Sequence, residues 1–203
     1  MEHVVITIGR EFGSGGHKIG QLLAVKLGIP YYDRELLMLS AQRGGLDEKK
    51  LEKYDEKKHN PYLYEVNYEG NAYAQKGVSV QDALFALQSE IIQEIGENMD
   101  AVIVGRCADA VLGEAGIKTV SVFVAAPFEM RVKRTMELEE IDEKTAAAMT
   151  RKKDKRRKQY YESRTGKRWG APESYDMYFD AGKQSPEEIA GQIVQMYQSV
   201  KKN

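Results

Sequence analysis

The feature that most constrains this chain lies at residues 6–20. An apolar run of β type, Ile6-Thr7-Ile8, empties into Gly9-Arg10-Glu11-Phe12-Gly13-Ser14-Gly15-Gly16 and then into the helical sequence that follows His17 and Lys18. Strand, glycine loop and helix in that order make a cradle for a polyphosphate. Glycine lets the backbone turn with positive φ, successive amide N–H groups face the anion, and the helix adds the positive end of its dipole. The common pattern for such loops is G-x-x-x-x-G-K-[ST], with the lysine on the β- and γ-phosphates and the hydroxyl on Mg²⁺. This chain departs from it: His17 follows Gly16, Lys18 comes one place later, and no Ser or Thr follows Lys18. Arg10, Gly13, Ser14, Gly15, Gly16 and His17 are the candidate phosphate-binding residues, with a purely structural turn as the bland alternative.

A length of 203 residues allows one domain of ordinary size, or one core with a small inserted lobe. The formal net charge of −1 conceals an uneven distribution: residues 150–169 hold ten Lys/Arg against Asp154 and Glu162, so the basic charge is concentrated where an anion could be gripped. The single cysteine, Cys107, cannot form an intramolecular disulfide, and the first residues lack the basic and apolar regions of a secretory leader. The apolar runs stop short of the roughly 20 residues needed to span a bilayer. A cytoplasmic protein without membrane contact is expected. Three scattered histidines and one cysteine offer no structural zinc site, and the metal ligands stay unassigned.

Along the chain, residues 4–8 read as a buried parallel strand and residues 19–27 as a helix with Leu22, Leu23 and Leu27 inward. Gly28-Ile29-Pro30 ends that helix, Tyr31-Tyr32 make a brief strand, and Asp33 offers an N-cap carboxylate to a second helix. From 42 to 77 the pattern degrades into charge, Asn and Tyr, which reads as a mobile helical insertion. Leu84, Leu87, Ile91 and Ile95 fall on one helical face, and residues 100–104 and 120–124 read as two more buried strands. Helices over 128–139 and 142–161, a strand over 175–179 and a closing helix from Pro186, N-capped by Ser185, complete the pattern. Strands separated by helices imply an α/β fold whose parallel sheet is covered on both faces and binds ligands at the carboxyl ends of its strands.

Candidate chemistry sits just after those strands. Asp33 and Arg34 follow the second. Arg106 and Asp109, after Gly105, could offer a guanidinium to a phosphate and a carboxylate to an amino or hydroxyl group, or could simply pair with each other on a helix. Arg131 and Arg134 share a helical face, as do Asp154 and Arg157, and converging guanidinium groups suit the spread charge of a phosphoryl group in flight. A solvated face accounts for most of 152–158. Tyr160, Tyr161 and Trp169 interleave aromatics with cations as nucleic-acid platforms do, although the acidic balance outside this segment favours a small anionic ligand. Cys107 is expected to pack at a strand end.

Taken together, these residues resemble the cytidylate kinase-like family of P-loop nucleoside monophosphate kinases. The resemblance rests on residues 6–16, on 27–36, on Val102-Ile103-Val104-Gly105-Arg106-Cys107-Ala108-Asp109, on Asp154, Lys155, Arg157, Tyr160 and Tyr161, and on Trp169-Gly170 through Tyr175-Asp176. It implies a P-loop NTPase fold over 1–203, with five parallel strands in order 2-3-1-4-5, an NMP-binding insertion over 42–77 and a basic lid over 150–170. It also implies ATP and Mg²⁺ as cofactors and a nucleotide acceptor, CMP or dCMP first. Asp33, Arg34, Arg106 and Asp109 would face the acceptor, and Lys18, Arg131, Arg134, Asp154 and Arg157 would carry the catalysis. Aligned by the helix, Gly16 stands where the loop lysine belongs; aligned by the loop, Lys18 takes that place and Gly20 replaces the hydroxyl. A nucleotide- or phosphate-binding regulator without chemistry, and an RNA-binding protein using the basic segment, are the alternatives.

Overall fold

The structure, a computed structural model, describes residues 2–45, 49, 52, 54–56 and 79–202. Most of the insertion expected over 42–77 lies outside the described residues, and its first three residues belong to a helix of the core.

Val5, Ile6 and Ile8 are excluded from water because the strand that carries them, β1 (Val5–Arg10), is central. It pairs in parallel with β3 (Ala101–Val104) on one side and β4 (Thr119–Ala125) on the other; β2 (Tyr31–Tyr32) and β5 (Met177–Asp180) form the edges. The order is 2-3-1-4-5, all parallel, as the resemblance implied. Alternation along β1 divides the core. Ile6 and Ile8 pack against Ile19 and Leu23 of α1 (Gly16–Leu27) and Ile189, Ile193 and Tyr197 of the C-terminal helix. Val5 faces the other layer, with Leu36 of α2 (Glu35–Gly44), Ile91, Ile92 and Ile95 of α3 (Val80–Asn98), and Val111 and Leu112 of α4 (Ala108–Glu114). Each such side chain contributes about 1.5–3 kcal/mol by leaving water.

Beyond β4, α5 (Phe128–Glu139) and α6 (Glu143–Thr165) form a helical hairpin, and α7 (Pro186–Lys202) closes the chain. The caps follow from sequence: Asp142 accepts the Thr145 N–H at 3.0 Å, and Ser185 and Glu188 cap each other reciprocally. Besides shifts of one or two residues at other element ends, four features differ from the sequence reading. α1 starts at Gly16, three residues early, because Gly15 turns with φ 93 and delivers the chain directly into the helix. α6 runs on to Thr165, where Gly166 in the left-handed region stops it. β5 starts at Met177, because Pro172–Ser174 form a 3₁₀ turn just before it. Asp33 does not cap α2; Arg34 holds that position without a side-chain capping bond, since the Asp33 carboxylate is drawn into the ion cluster described below. Among the described residues no helix is long and apolar enough to cross a membrane.

Gly20 is where α1 presses on the sheet. A Cβ there would stand 2.8 Å from the Tyr31 ring and 3.2 Å from Val104. Gly20→Val is expected to cost about 2 kcal/mol through overpacking, read as a lower urea midpoint at unchanged slope.

Candidate active site

The loop between β1 and α1 turns at Gly13 (φ 77) and Gly15 (φ 93), backbone conformations that other residues adopt only with strain. By helix geometry the N–H groups of Gly16, His17 and Lys18 have no intrahelical acceptor and face the space in front of α1. Arg134 reaches this loop from α5 and donates to the Gly13 carbonyl at 2.7 Å; a Cβ on Gly15 would stand 3.0 Å from the same guanidinium. Arg134 is half-buried and holds a fixed positive charge beside the amides. Lys18, by contrast, is exposed on the first turn of α1 and makes no ion pair among the described residues. Ser14 is fully buried, with no partner for its hydroxyl among the described residues.

Gly16 lacks a side chain for a steric reason. A Cβ there would lie 2.7 Å from Cβ of Arg10 and 3.2 Å from its Cγ, so Arg10 occupies the room that a residue at 16 would need. From there the Arg10 side chain runs under the loop to Glu56 at 3.0 Å and Asp33 at 3.6 Å. Arg106 donates to Asp33 at 2.5 Å and to Asp55 at 2.6 Å, and Arg157 donates through Nε to Glu56 at 3.0 Å. This cluster of six charged side chains lies at the carboxyl ends of β1, β2 and β3, where an open parallel sheet places its ligands. Arg106 and Cys107 both have positive φ, at 52 and 56, immediately after Gly105 at 79. Strain of that kind gathers at binding sites held firmly by their surroundings.

Burial works against ionisation of Asp33, but the charges of Arg10 and Arg106 and the His17 hydrogen bond outweigh it and hold its pKa below the ordinary aspartate value. Glu56 follows the same balance: burial opposes its charge, and Arg10, Arg157 and Arg106 keep its pKa well below the usual glutamate range. Burial lowers the Arg106 pKa, but the carboxylates of Asp55, Glu56 and Asp33 more than reverse this. Asp109 is displaced upward, chiefly by burial, and Tyr161 donates to it at 2.6 Å.

A second cluster clamps the loop to the α5–α6 hairpin. The Asp154 carboxylate accepts the Phe12 N–H at 2.7 Å and Arg131 at 2.5 Å, and Arg131 also donates to the carbonyls of Ala126 at 3.0 Å and Phe12 at 3.2 Å. Glu11 accepts the Ala126 N–H at 3.0 Å with Arg131 3.3 Å away. Lys153 and Arg157 lie over the Phe12 ring. The fold thus brings Arg10, Gly13, Ser14, Gly15, Gly16, Arg131, Arg134, Asp154 and Arg157 to the loop, with His17 joining it to Asp33 at 2.9 Å. It gathers Asp33, Arg106 and Asp109 behind the loop, yet Arg106 and Asp109 each bond other partners. Arg34 points away, largely exposed and 2.5 Å from Glu52.

Sequence reasoning missed Glu11, Asp55 and Glu56, which carry no spacing signal. Tyr160 and Tyr161 are buried, and Trp169 meets Phe123 edge-on at 5.3 Å, so these aromatics pack inward. Cys107 is buried as expected, and burial pushes its thiol pKa up.

A five-stranded parallel sheet in this order, with a glycine loop opening the first helix, places the chain in the class of P-loop kinase folds. It belongs to the cytidylate kinase-like family, which matches residues 5–183. No curated protein sequence matches it. Among solved structures it is similar to an uncharacterized protein from Eubacterium ventriosum, at 28% identity and TM-score 0.72, covering 97% of this chain and 99% of that one. Shikimate kinase from Bacteroides thetaiotaomicron is similar at 14% identity and TM-score 0.54, over 98% and 99% of the two chains. The Mycobacterium tuberculosis APS kinase, in complex with AMPPNP and APS, is similar at 15% and 0.53, over 97% and 98%.

Because the pKa values of Asp33 and Glu56 are depressed in the folded chain, their stabilisation is fully present above the ordinary carboxylate values of 3.8 and 4.5. It is lost as pH falls below those values through the depressed ones. Urea midpoints taken from pH 7 down to pH ~2 are expected to fall steeply for the wild type, and Asp33→Asn is expected to flatten that acid limb.

Proposed function

We propose that this chain is an ATP-dependent phosphotransferase acting on a small anionic acceptor, with CMP or dCMP the first acceptor to try. The observation that carries this reading is the juxtaposition of the glycine loop, with its free helix-end amides and the Arg134 guanidinium, against a buried arginine cluster one strand away. Donor and acceptor anions would meet across that boundary, and transfer needs little from the protein beyond positioning and charge neutralisation.

In this reading the amides of Gly16, His17 and Lys18 receive the terminal phosphates. Arg134 supplies the charge that a loop lysine supplies elsewhere, because Gly16 leaves no side chain there and Lys18 faces solvent. Arg131 and Asp154 position the loop by holding Phe12. Arg106 and Arg157 receive the acceptor, and Asp33, steadied by His17, lies between the two sites. The amides and guanidinium fit a polyphosphate; Mg²⁺ would arrive with the ATP, held chiefly by phosphate oxygens and water, and would neutralise charge on the phosphates. The basic face of α6 is read as solvated. One observation favours binding without turnover: the Arg10 guanidinium, whose side chain starts beside Gly16, is already paired with Glu56 and Asp33.

The test is ADP release from ATP and Mg²⁺ with a panel of nucleoside monophosphates. Arg134→Ala is expected to lower kcat by about 100-fold or more, the scale of losing one preorganised donor to transition-state charge, and Lys18→Ala to change it by less than about threefold. ATP binding without acceptor-dependent ADP release would establish the regulatory reading in its place.

A further inference from the structure

The arginine cluster is neutral as it stands. Arg10, Arg106 and Arg157 face Asp33, Asp55 and Glu56, and the six differ in origin. Asp33 ends strand β2 and is steadied by His17. Asp55 and Glu56 lie in the chain between α2 and α3. Glu56 bridges two arginines, one oxygen to Arg10 and the other to Arg157, each at 3.0 Å. Asp55 takes Arg106 at 2.6 Å and Gln88 at 3.1 Å.

Three observations indicate that this arrangement is a resting state of a binding site. Glu56 has φ 50, a left-handed conformation that strains a non-glycine residue and that its two ion pairs hold in place. The cavity on the sheet side of the cluster measures about 30 Å³, room for a water or two and far less than an organic acceptor needs, while a more open pocket of about 220 Å³ lies on the α6 side, lined by Asp55, Glu56 and Arg157 with Lys153 and Arg156. The smaller cavity is lined by Thr7, Arg106 and Tyr160, all buried, whose Oγ1, Nε and hydroxyl have no partner among the described residues. Polar atoms desolvated in this way await a ligand or water.

We infer that Asp55 and Glu56 are resident counter-anions, occupying the place of a dianionic group on the acceptor, and that the acceptor enters by exchanging its own two charges for theirs. The charge count selects the ligand class. A phosphate monoester dianion replacing two carboxylates leaves the buried cluster neutral, whereas a neutral acceptor replacing them would leave two uncompensated positive charges out of water. With the carboxylates in place the sheet-side cavity, into which Arg106 faces, has no room for either. The term acceptor rests on the phosphoryl-transfer reading; the exchange of anions does not.

Inorganic phosphate at pH 8 is the probe, titrated calorimetrically into wild type, Glu56→Gln, Asp55→Asn, Glu56→Asp and the double variant E56Q/R157Q, with ADP and Mg²⁺ titrated separately. Removing one resident charge is expected to tighten phosphate binding by about tenfold or more. Glu56→Asp, which keeps the charge, stays near wild type, and the double variant loses the gain. Should Glu56→Gln fail to fold in plain buffer, Asp55→Asn carries the same comparison, with phosphate raising its unfolding temperature more than that of wild type. Equal phosphate affinity in wild type and the charge-removal variants overturns the inference, as does a gain that survives the loss of Arg157. Binding of ADP with Mg²⁺ but no phosphate gain removes this inference and leaves the phosphotransferase; a phosphate gain without ADP binding does the reverse.

Discussion

Arg10 is the side chain on which the rest of the site depends. It leaves the end of the central strand beside Gly16, and its Cβ and Cγ fill the space into which a side chain at 16 would project. Its guanidinium then crosses to the neighbouring strands and ties Glu56 and Asp33. One residue therefore explains both the departure of the loop from the usual pattern and the coupling of the loop to the arginine cluster. A guanidinium suits this position better than an ammonium, because its planar fork serves several carboxylate oxygens from a fixed geometry and stays charged when buried.

The helical hairpin supplies what the loop cannot hold by itself. A glycine-rich segment loses much conformational entropy on ordering, and here the cost is offset by Asp154 on the Phe12 N–H, by Arg131 on two loop-side carbonyls and by Arg134 on Gly13. The same α6 helix that carries Asp154 carries Arg157 into the cluster, one turn on, and Tyr160 and Tyr161 into the wall of the small cavity. Loop, cluster and cavity are thus read by one rigid element, so that a displacement of α6 would be felt at all three.

Much of this was legible in the sequence. Continuous apolar runs at 4–8, 100–104 and 120–124 identify buried parallel strands, because both faces of such strands lose water. The separated motifs led to the strand order and to Arg10, Gly13–Gly16, Arg106, Arg131, Arg134, Asp154 and Arg157. Roles were harder to read than positions. Lys18 and Arg34 sit beside site residues in the chain but face solvent, since neighbours on a helix start point in different directions. Asp55 and Glu56 could not be found from local pattern at all: Glu56 meets Arg10 from 46 residues away and Arg157 from 101, within a stretch that reads from sequence as a helical insertion.

The claim at the centre of this account is that the amides opening α1, beside Arg134, form a working anion cradle despite the missing lysine. Amide NMR shifts of the isotope-labelled chain during titration with ADP and Mg²⁺ test it most directly. The account predicts saturable shifts at Gly16, His17 and Lys18, accompanied by the Arg134 guanidinium signal. Shifts confined to the basic exposed face of α6, with the loop amides unmoved at saturation, would contradict it.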